Sequence, residues 1–191
     1  MKLMSILSGA LLATSAFAAS AANLILFGEQ LNTVDRAHMR TAAKAAGAKL
    51  VKSTDTTDLY DAKTIGLLGA QTLEVVYLNN QVVMAQYTLE KGSATDERFR
   101  KMLVAKYGFP QSVDDTFRGT TPQKFDQQYV GDAKYRWKFD DDMELVFAKE
   151  FFGERYLTYL NKPVHAQLKR KLEAAEANGA ARAAQAKSSV F

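Results

Sequence analysis

The chain has 191 residues, no cysteine and a formal charge of +4. The missing thiols exclude disulfides, thiolate metal sites, cysteine nucleophiles and lipid attachment through an N-terminal cysteine, so stability must come from a buried core. The charge is mild and its basic residues are spread widely apart from a cluster near the C-terminus, which does not indicate nucleic acid.

Met1-Lys2 opens with one positive charge, and Leu3 to Phe17 is a weakly apolar run without an ionised side chain. Two small-x-small exits follow, Ala16-Phe17-Ala18 and Ala19-Ser20-Ala21. This is the layout of a secretory signal, with cleavage expected after Ala18 or Ala21, and it predicts a periplasmic or secreted protein. The rival is an uncleaved anchor, because the uncharged run continues to Phe27; its Ala/Ser content and the lack of a basic stop-transfer flank favour the signal. No later segment is apolar enough to span a bilayer, so no transmembrane segment is expected after signal removal.

The mature part carries an internal echo. Asn32-Thr33-Val34-Asp35 and Ser93-Ala94-Thr95-Asp96 each set a capping residue three positions before an acid, and each is followed by a helical run that ends at a glycine, Gly47 or Gly108. Asn32 and Ser93 are read as caps, the acids as partners of the helix dipole, and the glycines as left-handed stops. The first helix is Ala-rich, with Val34, Met39, Ala42 and Ala46 apolar; the second has a stripe of Phe99, Leu103 and Tyr107 with Met102 beside it.

Strands follow each helix. Thr72 to Tyr77 and Asp142 to Phe147 resemble one another, and each has a partner strand, Val82 to Leu89 and Arg155 to Leu160. Asn79-Asn80 suits a two-residue hairpin turn, since Asn tolerates positive φ. In the second copy Tyr135, Trp137 and Phe139 alternate with Lys134, Arg136 and Lys138, giving an extra strand with one aromatic and one basic face. Pro163 suits the first turn of a third helix with Val164, Leu168 and Leu172 on one stripe and Lys169-Arg170-Lys171 largely off it; Asn178-Gly179 is its expected stop.

The resulting expectation is an α+β fold of two helix-plus-antiparallel-sheet modules, an internal duplication, with a C-terminal helix. Its boundaries are a signal at 1–21, modules at 22–91 and 92–161, the helix at 162–178 and a flexible tail at 179–191.

Catalytic patterns are sparse. His38 and His165 stand far apart and outside any metal-ligand or nucleophile motif. Asp140-Asp141-Asp142 lacks the spacing of a calcium loop and reads as a solvated turn, and Asp55, Asp58 and Asp61 receive the same reading. No catalytic, cofactor or metal residue is therefore assigned. Lys134, Arg136 and Lys138 are the candidate binding residues, with the alternating aromatics turned to the core rather than to a nucleic acid or glycan.

The motifs Phe99-x-x-Met102-Leu103-x-x-Lys106-Tyr107-Gly108-x-Pro110, Arg136-Trp137-x-Phe139, Met143 to Phe147 and Tyr156-Leu157-Thr158-Tyr159 resemble an uncharacterised family of exported proteins from Gram-negative bacteria. Phe27-Gly28, the Arg36 to Gly47 helix and Asp58-Leu59-Tyr60-Asp61 extend that resemblance over most of the mature chain, and it brings no established activity. More distantly, a helix ending in Tyr-Gly-x-Pro before a Trp-bearing sheet is similar to modules of the β-lactamase-inhibitor-protein type and to the small lipoprotein of the barrel-assembly machine. That resemblance implies protein binding through an exposed sheet face, although the lipoprotein's anchoring cysteine is missing here. The functional expectation is a non-catalytic envelope binding module for another envelope protein or a small ligand. The alternatives are a carboxylate-dependent hydrolase or lyase using Glu150 with one of Asp140 to Asp142, and a secreted inhibitor or immunity protein.

Overall fold

A computed structural model of the chain describes residues 23–115, 133–149 and 155–188. The leader, Glu150 and the last residues of the expected tail lie outside the described residues.

A short hairpin, β1 (Ile25–Leu26) and β2 (Glu29–Gln30), precedes helix α1 (Arg36–Ala45). Four strands follow: β3 (Lys49–Ser53), β4 (Thr57–Asp61), β5 (Ala70–Leu78) and β6 (Gln81–Leu89). The pattern then returns, with α2 (Ser93–Tyr107) and strands β7 (Ser112–Asp115), β8 (Ala133–Lys138), β9 (Met143–Lys149) and β10 (Arg155–Asn161), and α3 (Lys162–Ser188) closes the chain.

The eight long strands form one antiparallel sheet in the order β3-β4-β5-β6-β10-β9-β8-β7. The two four-stranded runs thus meet at their last strands, β6 against β10, in the middle of a continuous sheet. Turn chemistry explains the central register: Asn79 and Asn80 both adopt positive φ, 51° and 65°, which closes the β5–β6 hairpin with Leu78 opposite Gln81.

Period-2 geometry sorts the side chains. Leu73, Val75, Ala85, Tyr87, Leu157, Tyr159, Leu145, Phe147, Tyr135 and Trp137 occupy one face and form the main core with Met39 and Ala43 of α1 and Phe99 and Leu103 of α2. Phe99 meets Phe147 with ring centroids 5.1 Å apart. The Trp137 indole N–H donates to the Gly108 carbonyl at 2.9 Å, so the sheet itself satisfies an orphan carbonyl at the end of α2. Tyr135 and Trp137 are buried as the alternation predicts, while Lys134 and Lys138 are exposed on the opposite face.

Several details differ from the sequence-based expectation. The two helices are capped differently: Asp35 is itself the N-cap of α1 and accepts from the His38 backbone N–H at 2.9 Å, whereas α2 starts after Gly92 without a side-chain cap. The N-cap positions are thus Asp35 and Gly92, not the Asn32 and Ser93 that the echo suggests. Gly47 and Gly108 do both take positive φ, 94° and 75°. On α1 the buried alanine is Ala43, not Ala42.

The third helix does not stop at Asn178-Gly179 but continues to Ser188. An interior glycine costs only about 1 kcal/mol relative to Ala, and the Ala-rich sequence on both sides of Gly179 is as favourable to a helix as any. Asn161 caps the start of α3, accepting from the Val164 N–H at 3.3 Å. Its first turns touch the sheet: Val164 and Leu168 pack on Leu78, Val83 and Val76, while Leu172, the next residue of the expected stripe, is exposed.

Candidate functional site

With α1 and α2 on one face of the sheet and the first turns of α3 across one end of the other, a broad part of the second face is uncovered among the described residues. Cross-strand register sets its rows. One runs Thr72, Thr88, Tyr156, Ala148, Lys134; the next runs Glu74, Gln86, Thr158, Val146, Arg136. All of these side chains are half-buried except Lys134, which is exposed. At the seam between the two halves the Gln86 amide donates to the Thr158 hydroxyl at 3.0 Å.

The three candidate binding residues share this face but not one environment. Arg136 is half-buried and its Nη1 donates to Glu144 Oε1 at 2.7 Å; Lys162 approaches the other Glu144 oxygen at 3.8 Å. Lys134 and Lys138 point to solvent, and neither ammonium lies in an ion pair among the described residues. The face is thus amphipathic and polar in its centre, with two free cations and one neutralised cation along β8.

Among the described residues the candidate carboxylates are not brought together, and Glu150 lies outside the described residues. Asp140 to Asp142 form a single 3₁₀ turn between β8 and β9, with Asp140 and Asp142 exposed and Asp142 at φ 58°. His38 is exposed and its Nδ1 lies 2.9 Å from Asp35 Oδ1; His165 is exposed on α3. Among the described residues no three His, Cys, Asp or Glu side chains are grouped to hold a metal ion, and no helix is long and apolar enough to cross a membrane.

Asp58 requires a correction. Its expected place is a solvated loop or edge strand, yet it is 0 % exposed on β4, one strand in from the edge and beneath α1. Arg36 and Arg40, one helical turn apart, each donate twice to it: Arg36 from Nε at 3.2 Å and Nη2 at 2.7 Å, Arg40 from Nε at 2.8 Å and Nη2 at 2.7 Å. The Ser53 hydroxyl adds a fifth bond at 2.8 Å. Arg36 also stacks 4.8 Å from the centroid of Tyr77. Burial by itself would raise the Asp58 pKa, but the hydrogen bonds from Arg40, Arg36 and Ser53 outweigh it and hold the carboxyl well below its usual range. Burial, reinforced by the nearby Asp58 charge, pushes the Tyr60 and Tyr77 hydroxyls up.

A second buried pair links the other helix to the sheet. Asp96 in the first turn of α2 receives Arg155 Nε at 2.6 Å and Nη2 at 2.7 Å, and Lys149 Nζ stands 3.7 Å away. Sequence reasoning missed both clusters, although strand alternation carried the signal: Asp58 shares a face with buried Tyr60, and Arg155 shares one with buried Leu157 and Tyr159.

Comparison with family models, with curated proteins and with solved structures finds no match to this chain.

Proposed function

We propose that the protein is exported across the inner membrane by its N-terminal signal and works in the periplasm as a non-catalytic binding module. In this reading it docks an acidic protein partner on the uncovered sheet face, in the manner implied by the resemblance to inhibitor-type and barrel-assembly modules. One observation carries the reading: the eight-stranded sheet leaves a face of Tyr156, Thr158, Gln86, Val146 and Ala148 half-exposed, with Lys134 and Lys138 unpaired among the described residues along one side. Such a face offers hydroxyl and amide groups beside the small apolar Val146 and Ala148 at its centre, and two cations to meet carboxylates at its rim. The same reading takes the chain as an internal duplication, supported by two helix-then-four-strand runs that read identically outward from the β6–β10 seam.

The test is site-specific photo-crosslinking in a cell expressing the full gene. A crosslinking residue at Thr158 or Tyr156 should give one discrete adduct, lost when Lys134→Glu and Lys138→Glu are combined. The same residue at Lys101, exposed on α2 and paired with Glu97 at 2.8 Å, should give none. Equal adducts from both faces, or none from the sheet, would refute the docking model. The mass of the periplasmic form reports separately on export, with cleavage expected after Ala18 or Ala21.

A further inference from the structure

The first half of the molecule carries a groove that the sheet-face model does not use. It lies between the C-terminal half of α1 and the edge strand β3, encloses about 390 Å³, and is lined by Arg40, Lys44, Ala48, Lys49, Leu50 and Tyr60. That volume is within the ~300–1,000 Å³ of ordinary small-molecule sites.

The sequence explains why the space exists. Arg40 and Lys44 are one turn apart on a helix whose neighbouring positions are mostly alanine, so the edge of the sheet is flanked by cationic stems instead of bulky apolar side chains. Directly across from buried Tyr60, Leu50 shares its face yet remains 50 % exposed. Leu50 and the next residue, Val51, are among the few exposed large apolar side chains of the described chain.

Charge gives the groove its preference. Arg36 and Arg40 share one carboxylate, Asp58, which leaves one positive charge uncompensated at the inner wall. Lys44 and Lys49 at the rim make no ion pair among the described residues. An apolar floor beside the net positive charge of this cluster and two lysines matches a ligand with one anionic end and an alkyl body.

We infer that this groove binds a linear alkyl carboxylate, its head between Arg40, Lys44 and Lys49 and its chain along Ala48, Leu50 and Tyr60. The modest volume favours a medium chain over a long one.

Decanoate, titrated below its micellar range into the isotopically labelled purified chain, tests this directly. Saturable one-site binding is expected, with amide shifts confined to α1's C-terminal turn, β3 and Tyr60. Methyl decanoate, which keeps the tail without the charge, and acetate, which keeps the head without the tail, should each bind weaker by roughly tenfold or more. Lys44→Gln with Lys49→Gln should weaken decanoate by roughly tenfold, and so should Leu50→Asn, while Lys101→Gln leaves it unchanged. These positions are exposed, so unaltered thermal melting and far-UV circular dichroism would show that the fold survives. The inference fails if decanoate does not saturate, if the methyl ester binds equally well, or if the double lysine variant is without effect. It fails equally if sedimentation shows a dimer broken by Leu50→Asn with no decanoate binding, because the groove would then be an interface between copies. Loss of the photo-crosslinked partner would leave this result untouched, since the two sites lie on different faces.

Discussion

Each half of the molecule buries an acid between its helix and the sheet, and the two halves do so with the roles exchanged. In the first, the strand supplies the carboxylate, Asp58 on β4, and the helix supplies the guanidiniums, Arg36 and Arg40. In the second, the helix supplies the carboxylate, Asp96 on α2, and the strand supplies the guanidinium, Arg155 on β10. The difference in exposure matters more than the reversal. Arg155 is 8 % exposed and works as an internal pin, whereas Arg40 is 41 % exposed, so its charge reaches the surface beside the groove. One cluster is closed on itself; the other joins the core to a surface that can meet a ligand.

Removing both bases of the first cluster should produce the largest effect. In Arg36→Met/Arg40→Met the fully buried Asp58 keeps only the Ser53 hydroxyl among its present hydrogen-bond donors. A loss of about 4 kcal/mol at neutral pH is expected from urea unfolding, in the range for breaking a buried pair by removing one side. The pH dependence should invert as well. In the native protein the folded Asp58 pKa lies below its unfolded value of about 3.9, so its contribution is intact above that value and disappears as pH falls through the folded pKa. In the double variant burial is opposed only by the Ser53 hydroxyl bond among these interactions, and it raises the folded pKa above the unfolded one. The variant should therefore gain stability on acidification over the pH range just above 4. An unchanged slope would mean that Asp58 escapes to solvent when its partners are gone.

The second cluster should respond less, and its response separates pairing from burial. Asp96→Leu leaves Arg155 enclosed without its bidentate partner and should cost about 3 kcal/mol. Asp96→Leu/Arg155→Met replaces both charges by apolar groups and should recover most of that loss, leaving about 1 kcal/mol. If the double variant is as unstable as the single one, Arg155 holds the sheet through contacts other than Asp96, and the likeness between the two clusters is superficial.

What the sequence disclosed follows the same division. Local rules were enough for Asn79-Asn80, whose positive φ closes a hairpin, for Tyr135 and Trp137, which alternate with exposed lysines, and for Phe99 and Leu103, which line one side of a helix. Asp58 was illegible by residue type alone, because a carboxylate in a polar stretch is ordinarily solvated. Its burial depends on α1 lying over β4 and bringing Arg36 and Arg40 from about twenty residues earlier in the chain. Period 2 nevertheless places it with Tyr60, and the i, i+4 arginine pair supplies the partners a buried acid needs. The candidate binding cations were readable as a face, but Arg136's partner was not: Glu144 lies in a different strand, and only the β8–β9 register brings it near. The run-on of α3 past Gly179 shows the opposite error, a local stop signal outweighed by the alanines around it.

The smallest expected effect concerns the seam where the halves join. Gln86 on β6 and Thr158 on β10 are half-buried on the uncovered face and hydrogen-bonded across the central strand pair. Water can replace either partner there, so Gln86→Leu and Thr158→Val should each change stability only slightly, with a coupling of about 0.5–1 kcal/mol in a double-mutant cycle. A coupling near zero would leave backbone pairing, core contacts such as Tyr87 with Tyr159, and the packing of Val164 on Leu78 and Val83 to hold the halves together. A coupling well above 2 kcal/mol would instead show that the seam is as desolvated as the Asp96–Arg155 pair, and the face over it would be too well covered in the free protein to receive a partner.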